Sequence, residues 1–134
     1  MLRARIHGEE GVALVEATIA VMIILLLALM FMQIVIVFHA SLAAHAAAQR
    51  AARDGALTGS PSAGQATATK LQGSTIRIVK WSAPSCWKDG NVMRCQQQVH
   101  VPSIMPGGGL FMGGSWSGVD IIEDGQYPMY DKTG

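Results

Sequence analysis

The chain has 134 residues, of which 50% are hydrophobic and 14% are charged, and its formal net charge is +1. This length accommodates one small domain and excludes a large multidomain enzyme. The charge is too small and too scattered for an electrostatic nucleic-acid interface, because counterion release requires a clustered basic surface. All five prolines and twelve of the fifteen glycines lie beyond residue 58, whereas residues 12–54 contain neither type. The composition therefore predicts an N-terminal helical rod followed by a loop-rich head.

The rod is predicted to form one continuous helix over residues 12–58, because it lacks prolines and its second half is rich in alanine. Residues 19–38 are apolar apart from Gln33, and a bilayer core requires only about 20 such residues. A domain of this size cannot surround an apolar helix on every face. We therefore predict a membrane-spanning segment over residues 17–38. Two arginines near the N-terminus place that end in the cytoplasm by the positive-inside tendency.

Beyond the apolar run, alanine recurs at every fourth position and forms one side of the predicted helix. The residues that define this alanine face are Ala40, Ala44, Ala48 and Ala52. Small side chains at this spacing allow the backbones of two helices to approach closely. We predict that the alanine face packs against helices of neighbouring chains. The alternatives are a solvated helix and a surface covered by the protein's own head.

Glu16 is an ionisable residue in the segment that leads into the apolar run. A carboxylate near the end of a membrane helix costs on the order of 2.5 to 3.5 kcal/mol on insertion scales, so it requires a partner. A new α-amino group, created if the chain were cut between Gly11 and Val12, would supply that partner. The alternative is a solvated carboxylate at the level of the lipid headgroups.

The same segment has the order of features found in prepilins. A leader ends at Gly11, the first mature residue is Val12, Glu16 is the fifth, and a long apolar helix follows. Residues 11–58, which run from GVALVEATIAVM to AAQRAARDGAL, resemble the TadE-like family of Tad (Flp) pilus biogenesis proteins. The resemblance includes the sequence Ala-Arg-Asp-Gly at residues 52–55, which closes the helix in such proteins.

The resemblance implies a structural minor pilin or pseudopilin. A dedicated prepilin peptidase would remove residues 1–11, residues 12–58 would form the helix, and residues 59–134 would form the head. The chain would span a bacterial inner membrane once, with its head in the periplasm, before entering a Tad pilus or its assembly base. Its partners would be the major Flp pilin, other minor pilins and an inner-membrane assembly platform. In the assembly, Glu16 would pair with the amino terminus of Val12 on a neighbouring subunit.

Two other functions stay open. The first is an anchored protein that never polymerises and whose head is a binding module. The second is an exported soluble protein whose signal peptide ends at the small-x-small site of residues 44–46, although the apolar run is longer than usual for a signal peptide. The first mature residue distinguishes the three functions, because it would be Val12, Met1 or Ala47, respectively.

The head is predicted to be a small β-containing unit, which makes the fold class α+β. A short helix over residues 62–72, capped by Ser62, follows the rod. Strands are predicted over residues 75–82, 92–101 and 119–122, and the tail beyond is expected to be mobile. In the second strand the residues that alternate onto one face are Met93, Cys95, Val99 and Val101.

The turn between two strands determines whether the two cysteines lie opposite each other. If Gly90 and Asn91 form this turn, Cys86 lies opposite Cys95, and a cross-strand disulfide is geometrically possible. Two free thiols are one alternative. A zinc site that adds His100 is another, but the spacing matches no common zinc site and a fourth ligand is missing.

Patterns typical of catalysis are missing from the sequence. It contains neither Gly-x-Ser-x-Gly nor His-Glu-x-x-His, and the glycine-rich residues 103–118 lack the lysine of a phosphate loop. His39 and His45 lie about 120° apart around a helix, so they do not converge on a metal. We therefore expect no enzymatic activity, cofactor or metal. The apolar residues of the glycine-rich segment are expected to cover the sheet or to form a contact patch: Leu110, Phe111, Met112 and Trp116.

Overall fold

A computed structural model of the protein describes residues 3–72, 78–104 and 117–130. It consists of two helices followed by an antiparallel sheet, which confirms the predicted α+β class. The elements are α1 (Arg3–Thr58), α2 (Pro61–Gln72), β1 (Lys80–Trp81), β2 (Ser85–Asp89), β3 (Val92–Pro102) and β4 (Gly118–Pro128). The predicted contacts of Leu110, Phe111, Met112 and Trp116 lie outside the described residues.

α1 is one unbroken helix of 56 residues, which is roughly 84 Å long at about 1.5 Å per residue. It ends in a Schellman motif, in which Gly59 N donates to Ala56 O and Ser60 N donates to Gly55 O. Gly59 has a φ of 70°, a conformation that glycine adopts without a steric penalty. The helix therefore ends at Thr58, where the sequence predicted its end.

α2 begins at Pro61 rather than at the residue after Ser62, so the predicted cap is wrong. Proline suits the first helical position because its missing N–H would have no partner there and its φ is already helical. The residue at the cap position is therefore Ser60, whose Oγ lies 2.7 Å from Oγ of Ser62. α2 packs closely on α1 at Gly64, where an added Cβ would lie 2.7 Å from the Ala51 carbonyl oxygen.

β3 is the centre of the sheet. β1 and β2 pair with different halves of one edge of β3, and β4 pairs with the whole of the other edge. The strand predicted over residues 75–82 is shorter in the structure, because only Lys80–Trp81 pairs with β3; residues 75–77 lie outside the described residues. The predicted strand at residues 92–101 is confirmed and extends to Pro102.

β4 is much longer than predicted. It covers eleven residues instead of four, and Met129 N then donates to Asn91 O over 2.8 Å. The expectation of a mobile tail is therefore wrong up to Met129. The sequence Glu-Asp-Gly at residues 123–125 is typical of a turn, but in the structure the glycine serves a different purpose. An added Cβ at Gly125 would overlap with the backbone of Ala48, so glycine allows β4 to cross α1.

The core lies between the inner face of the sheet and the upper part of α1. All four residues predicted to share a face of β3 are buried. Gln97 also lies on this face, as the period of two along a strand requires, and is 0% exposed. Its Nε2 donates to the carbonyl oxygens of Ser82 and Gln98, and its Oε1 accepts from Gln72 Nε2. These bonds offset the loss of hydration that burial of the amide entails.

The predicted cross-strand disulfide is confirmed. Cys86 pairs with Cys95 in the register of β2 and β3, and the two sulfurs are bonded at 2.09 Å. The turn lies at Gly90, which has a φ of 60°, and Asn91. Because both thiols are consumed, neither the free-thiol alternative nor the zinc site with His100 holds.

Gly125→Ala is expected to destabilise the head by about 1 to 3 kcal/mol, because overpacking a close contact displaces the backbone. Gln126→Ala, at the exposed neighbouring position, is the matched control and is expected to stay within about 0.5 kcal/mol of the parent. Denaturant unfolding of the full chain in detergent micelles, followed by tryptophan fluorescence, measures both. Equal midpoints for the two variants would contradict a tight contact between β4 and α1.

Removal of both cysteines by Cys86→Ala and Cys95→Ala is expected to lower the free energy of unfolding by roughly 2.5 to 3 kcal/mol, because the disulfide closes a loop of about ten residues in the unfolded chain. The same unfolding measurement tests this prediction. Chemical reduction of the parent, which leaves the cysteines in place, provides the control and should lower stability to a similar extent. A reduced parent as stable as the oxidised one would refute a bracing role.

Candidate functional site

α1 divides into a bare lower part and a covered upper part. Residues 11–32 are exposed on every side, and the large apolar side chains among them are 36–70% exposed. The most apolar 18-residue window of α1 has a mean hydropathy of 3.1, and 6% of it is buried. Residues 11–32 are about 33 Å long, close to the roughly 30 Å of a bilayer core. Such a helix is compatible with a single-pass membrane anchor.

The residues predicted to act in processing and registry lie at the lower end of this bare part. Gly11, Val12 and Glu16 are all exposed, and a Cβ at Gly11 would meet no atom within 4 Å. Within the part of the chain that the structure describes, Glu16 has no hydrogen bond or ion pair. Glu16 lies one turn from Val12 on the same side of α1, because residues four apart are neighbours on a helix. A processing site and a registry carboxylate at these positions stay predictions.

The covered part of α1 begins at Gln33, which is 8% exposed. Its Nε2 donates to Pro102 O over 3.3 Å, and its Oε1 accepts from Ile104 N over 3.0 Å. Both polar atoms of the Gln33 amide are therefore hydrogen-bonded to the backbone at the end of β3. The sequence identified Gln33 only as an exception in the apolar run, because its partners lie about 70 residues away.

The alanine face is covered by the protein's own head, which is the alternative that the sequence left open. Its four residues are between 0% and 1% exposed, and α2, β3 and β4 lie against them. The prediction that this face packs on neighbouring helices is therefore corrected. The head reaches the helix because Gly125 presents no side chain at the crossing point with Ala48. The alanines position the head, and the bare part of α1 is left for other contacts.

Polar side chains fix β4 along the edge of the alanine face. Glu123 accepts a hydrogen bond of 2.7 Å from Ser41 Oγ, and its second oxygen lies 3.4 Å from His45 Nδ1. Further along β4, Asp120 lies opposite His100 of β3, and its Oδ1 is 2.7 Å from Nδ1 of His100. Among the described residues, no group of three or more His, Cys, Asp or Glu side chains converges as metal ligands would.

The side of α1 opposite the head carries an apolar stripe at the level of the sheet. Ile34, Phe38 and Leu42 are 57%, 61% and 52% exposed, and their spacing of four residues places them on one side of the helix. This stripe continues the bare lower part upwards. The apolar surface of α1 is therefore not confined to the residues below the head.

Comparison with known proteins supports the N-terminal resemblance. The family model described as TadE-like protein matches residues 11–53, which lie entirely within α1 and include both Glu16 and the alanine face. Neither a curated protein nor a solved structure matches the chain significantly. The predicted resemblance is thus confirmed for the helix, and the head has no counterpart in these comparisons. Residues 11–53 are thus similar to the TadE-like family, which is of a structural and non-enzymatic kind, and this similarity suggests a Tad pilus-related protein.

Proposed function

We propose that this chain is a minor pilin or pseudopilin of TadE type, which assembles through the bare part of α1 into a Tad pilus or its assembly base. One observation carries the proposal: residues 11–32 expose apolar side chains on all sides while the head covers the helix above them. Only lipid or other apolar helices remove such a surface from water. The match to the TadE-like family supports packing against other helices as well as insertion into lipid.

The bilayer of the bacterial inner membrane is the first environment of this surface, with the N-terminus in the cytoplasm and the head in the periplasm. The Cys86–Cys95 disulfide supports this orientation, because disulfides persist in oxidising compartments such as the periplasm. On assembly, helices of the major Flp pilin or of other minor pilins replace the lipid. An inner-membrane assembly platform would receive the chain from the bilayer.

Processing between Gly11 and Val12 by a prepilin peptidase would make assembly selective. The new α-amino group of Val12 is a cation at the lower end of the bare helix, and Glu16 is a carboxylate one turn above it. If Glu16 pairs with Val12 of a neighbour, the neighbour is shifted by about 6 Å along the helix axis towards the head, since four residues of helix rise by that amount. The pair would thereby set the axial register of adjacent subunits.

The structure argues against the signal-peptide alternative. Cleavage after residue 46 would separate Ala40 and Ala44 from the head, and both pack in one cluster with Val79, Val99 and Val101. The remaining sheet would then expose these three valines to water. The core of the head therefore includes residues of α1 that an exported soluble protein would lose.

The first residue of the native protein is expected to be Val12. Intact mass measurement and N-terminal sequencing both report it. Gly11→Leu should leave the leader attached, because the residue before the cut would then be large and branched, and it serves as the uncleaved control. A first residue of Met1 would favour the non-polymerising anchor, and Ala47 would favour the signal peptide.

Glu16→Ala is expected to insert into the membrane normally but to enter pili less efficiently. Without the carboxylate, each α-amino group of a neighbour is left unpaired in an apolar environment, and a loss of about 1.4 kcal/mol per contact lowers incorporation about tenfold. Quantitative immunoblots of the membrane and sheared pilus fractions measure the two steps.

Thr18→Ala is the matched control for Glu16→Ala. Thr18 is exposed on the same helix, but its Oγ1 donates to the carbonyl oxygen of Leu14 in its own chain over 2.8 Å. Its variant should be incorporated like the parent. Incorporation of Glu16→Ala at the level of Thr18→Ala would refute the pairing.

A further inference from the structure

The head begins to cover α1 at Gln33, inside the segment that the sequence assigned to the membrane. Gln33 bonds to Pro102 O and Ile104 N. Ile36 and Val37 pack against the core cluster that contains Ala40, Ala44, Val79, Val99 and Val101. A bilayer that reached residue 38 would therefore have to contain the lower edge of the head.

That depth conflicts with the chemistry of the head's lower edge. Ile36 and Val37 pack against the cluster that contains Val99 and Val101. His100, between these valines, pairs in register with Lys80 and Asp120, whose side chains are exposed. A charged side chain at membrane depth is costly, so a bilayer that reached residue 38 would immerse two charged residues of the head. Residues 11–32 satisfy their backbone groups within the helix, and their length of about 33 Å spans the core without the six residues above them.

We infer that the periplasmic surface of the bilayer lies at Gln33 and that the underside of the head, formed by Gln33 and residues 102–104, rests on the headgroup layer. This inference rests on the membrane anchorage contained in the proposed function. Gln33 is the first residue of α1 above the bare part that the head buries, so it marks the level at which the helix leaves the hydrocarbon.

The new boundary changes the environment of residues at both ends. Glu16 lies about 24 Å below the last bare residue, within a core of about 30 Å. A span over residues 17–38 would have left its carboxylate outside the core. At the other end, Phe38 and Leu42 lie above the bilayer, on the side of α1 that the head does not cover.

Cysteine labelling tests the boundary on the full chain in phospholipid vesicles, at a protein-to-lipid ratio low enough for isolated chains. Single substitutions are placed at Phe31, Phe38 and Leu42, which are all exposed in the structure. The probe is a charged, membrane-impermeant maleimide added on the side of the head. The two native cysteines are joined to each other and do not react under non-reducing conditions.

We expect Phe38→Cys to be labelled as fully as Leu42→Cys, and Phe31→Cys to be protected until detergent dissolves the vesicles. Protection of Phe38→Cys equal to that of Phe31→Cys would place the boundary at or above residue 38 and overturn the inference. Full labelling of Phe31→Cys would place it below Gln33 and would overturn it as well.

Isolated chains in vesicles do not need to polymerise, so this labelling and the assembly of pili fail independently. Protection of Phe38→Cys in a chain that still enters pili would remove the boundary and leave the proposed function standing. Labelling as expected in a chain that never enters pili would support the boundary and contradict the proposed function.

Discussion

The close crossing of β4 over α1 is the contact on which the rest of the structure depends. At this crossing the backbone of Gly125 lies against the backbone of Ala48, and a Cβ on the glycine would have no room. Alanines on the helix and glycine on the strand bring the two elements close enough for dispersion contacts along a long seam. The head is thereby fixed to the upper part of α1, and none of its described residues covers residues 11–32.

This division of α1 explains how one helix serves two purposes. The upper part is the foundation of a small disulfide-braced head, whose core contains several alanines and few large side chains. The lower part has no role in the head's core, so its residues are free to be selected for contacts with lipid and with other subunits. Glu16 is the ionisable residue in that apolar surface, and within an apolar environment a cation beside its carboxylate stabilises it.

The sequence predicted the features that depend on local pattern. The helix end, the alternation of β3 and the pairing of Cys86 with Cys95 follow from periodicity and turn chemistry, and the structure contains them. Features that depend on distant partners were missed. The alanine face fits a helix and a strand equally well, and only the position of Gly125 decides between them. Gln33 was noted only as an exception in the apolar run, because its partners lie about 70 residues away at the end of β3.

The claim at the centre of this account is that the carboxylate of Glu16 meets the amino terminus of a neighbouring chain. A membrane-soluble carbodiimide, which links a carboxylate to an amine only in direct contact, measures this in assembled pili. The account predicts a covalent dimer whose mass spectrum locates the new amide between Glu16 and Val12 of two chains, and its disappearance in Glu16→Gln. Pili that yield no such link, or that yield the same dimer from Glu16→Gln, would contradict it.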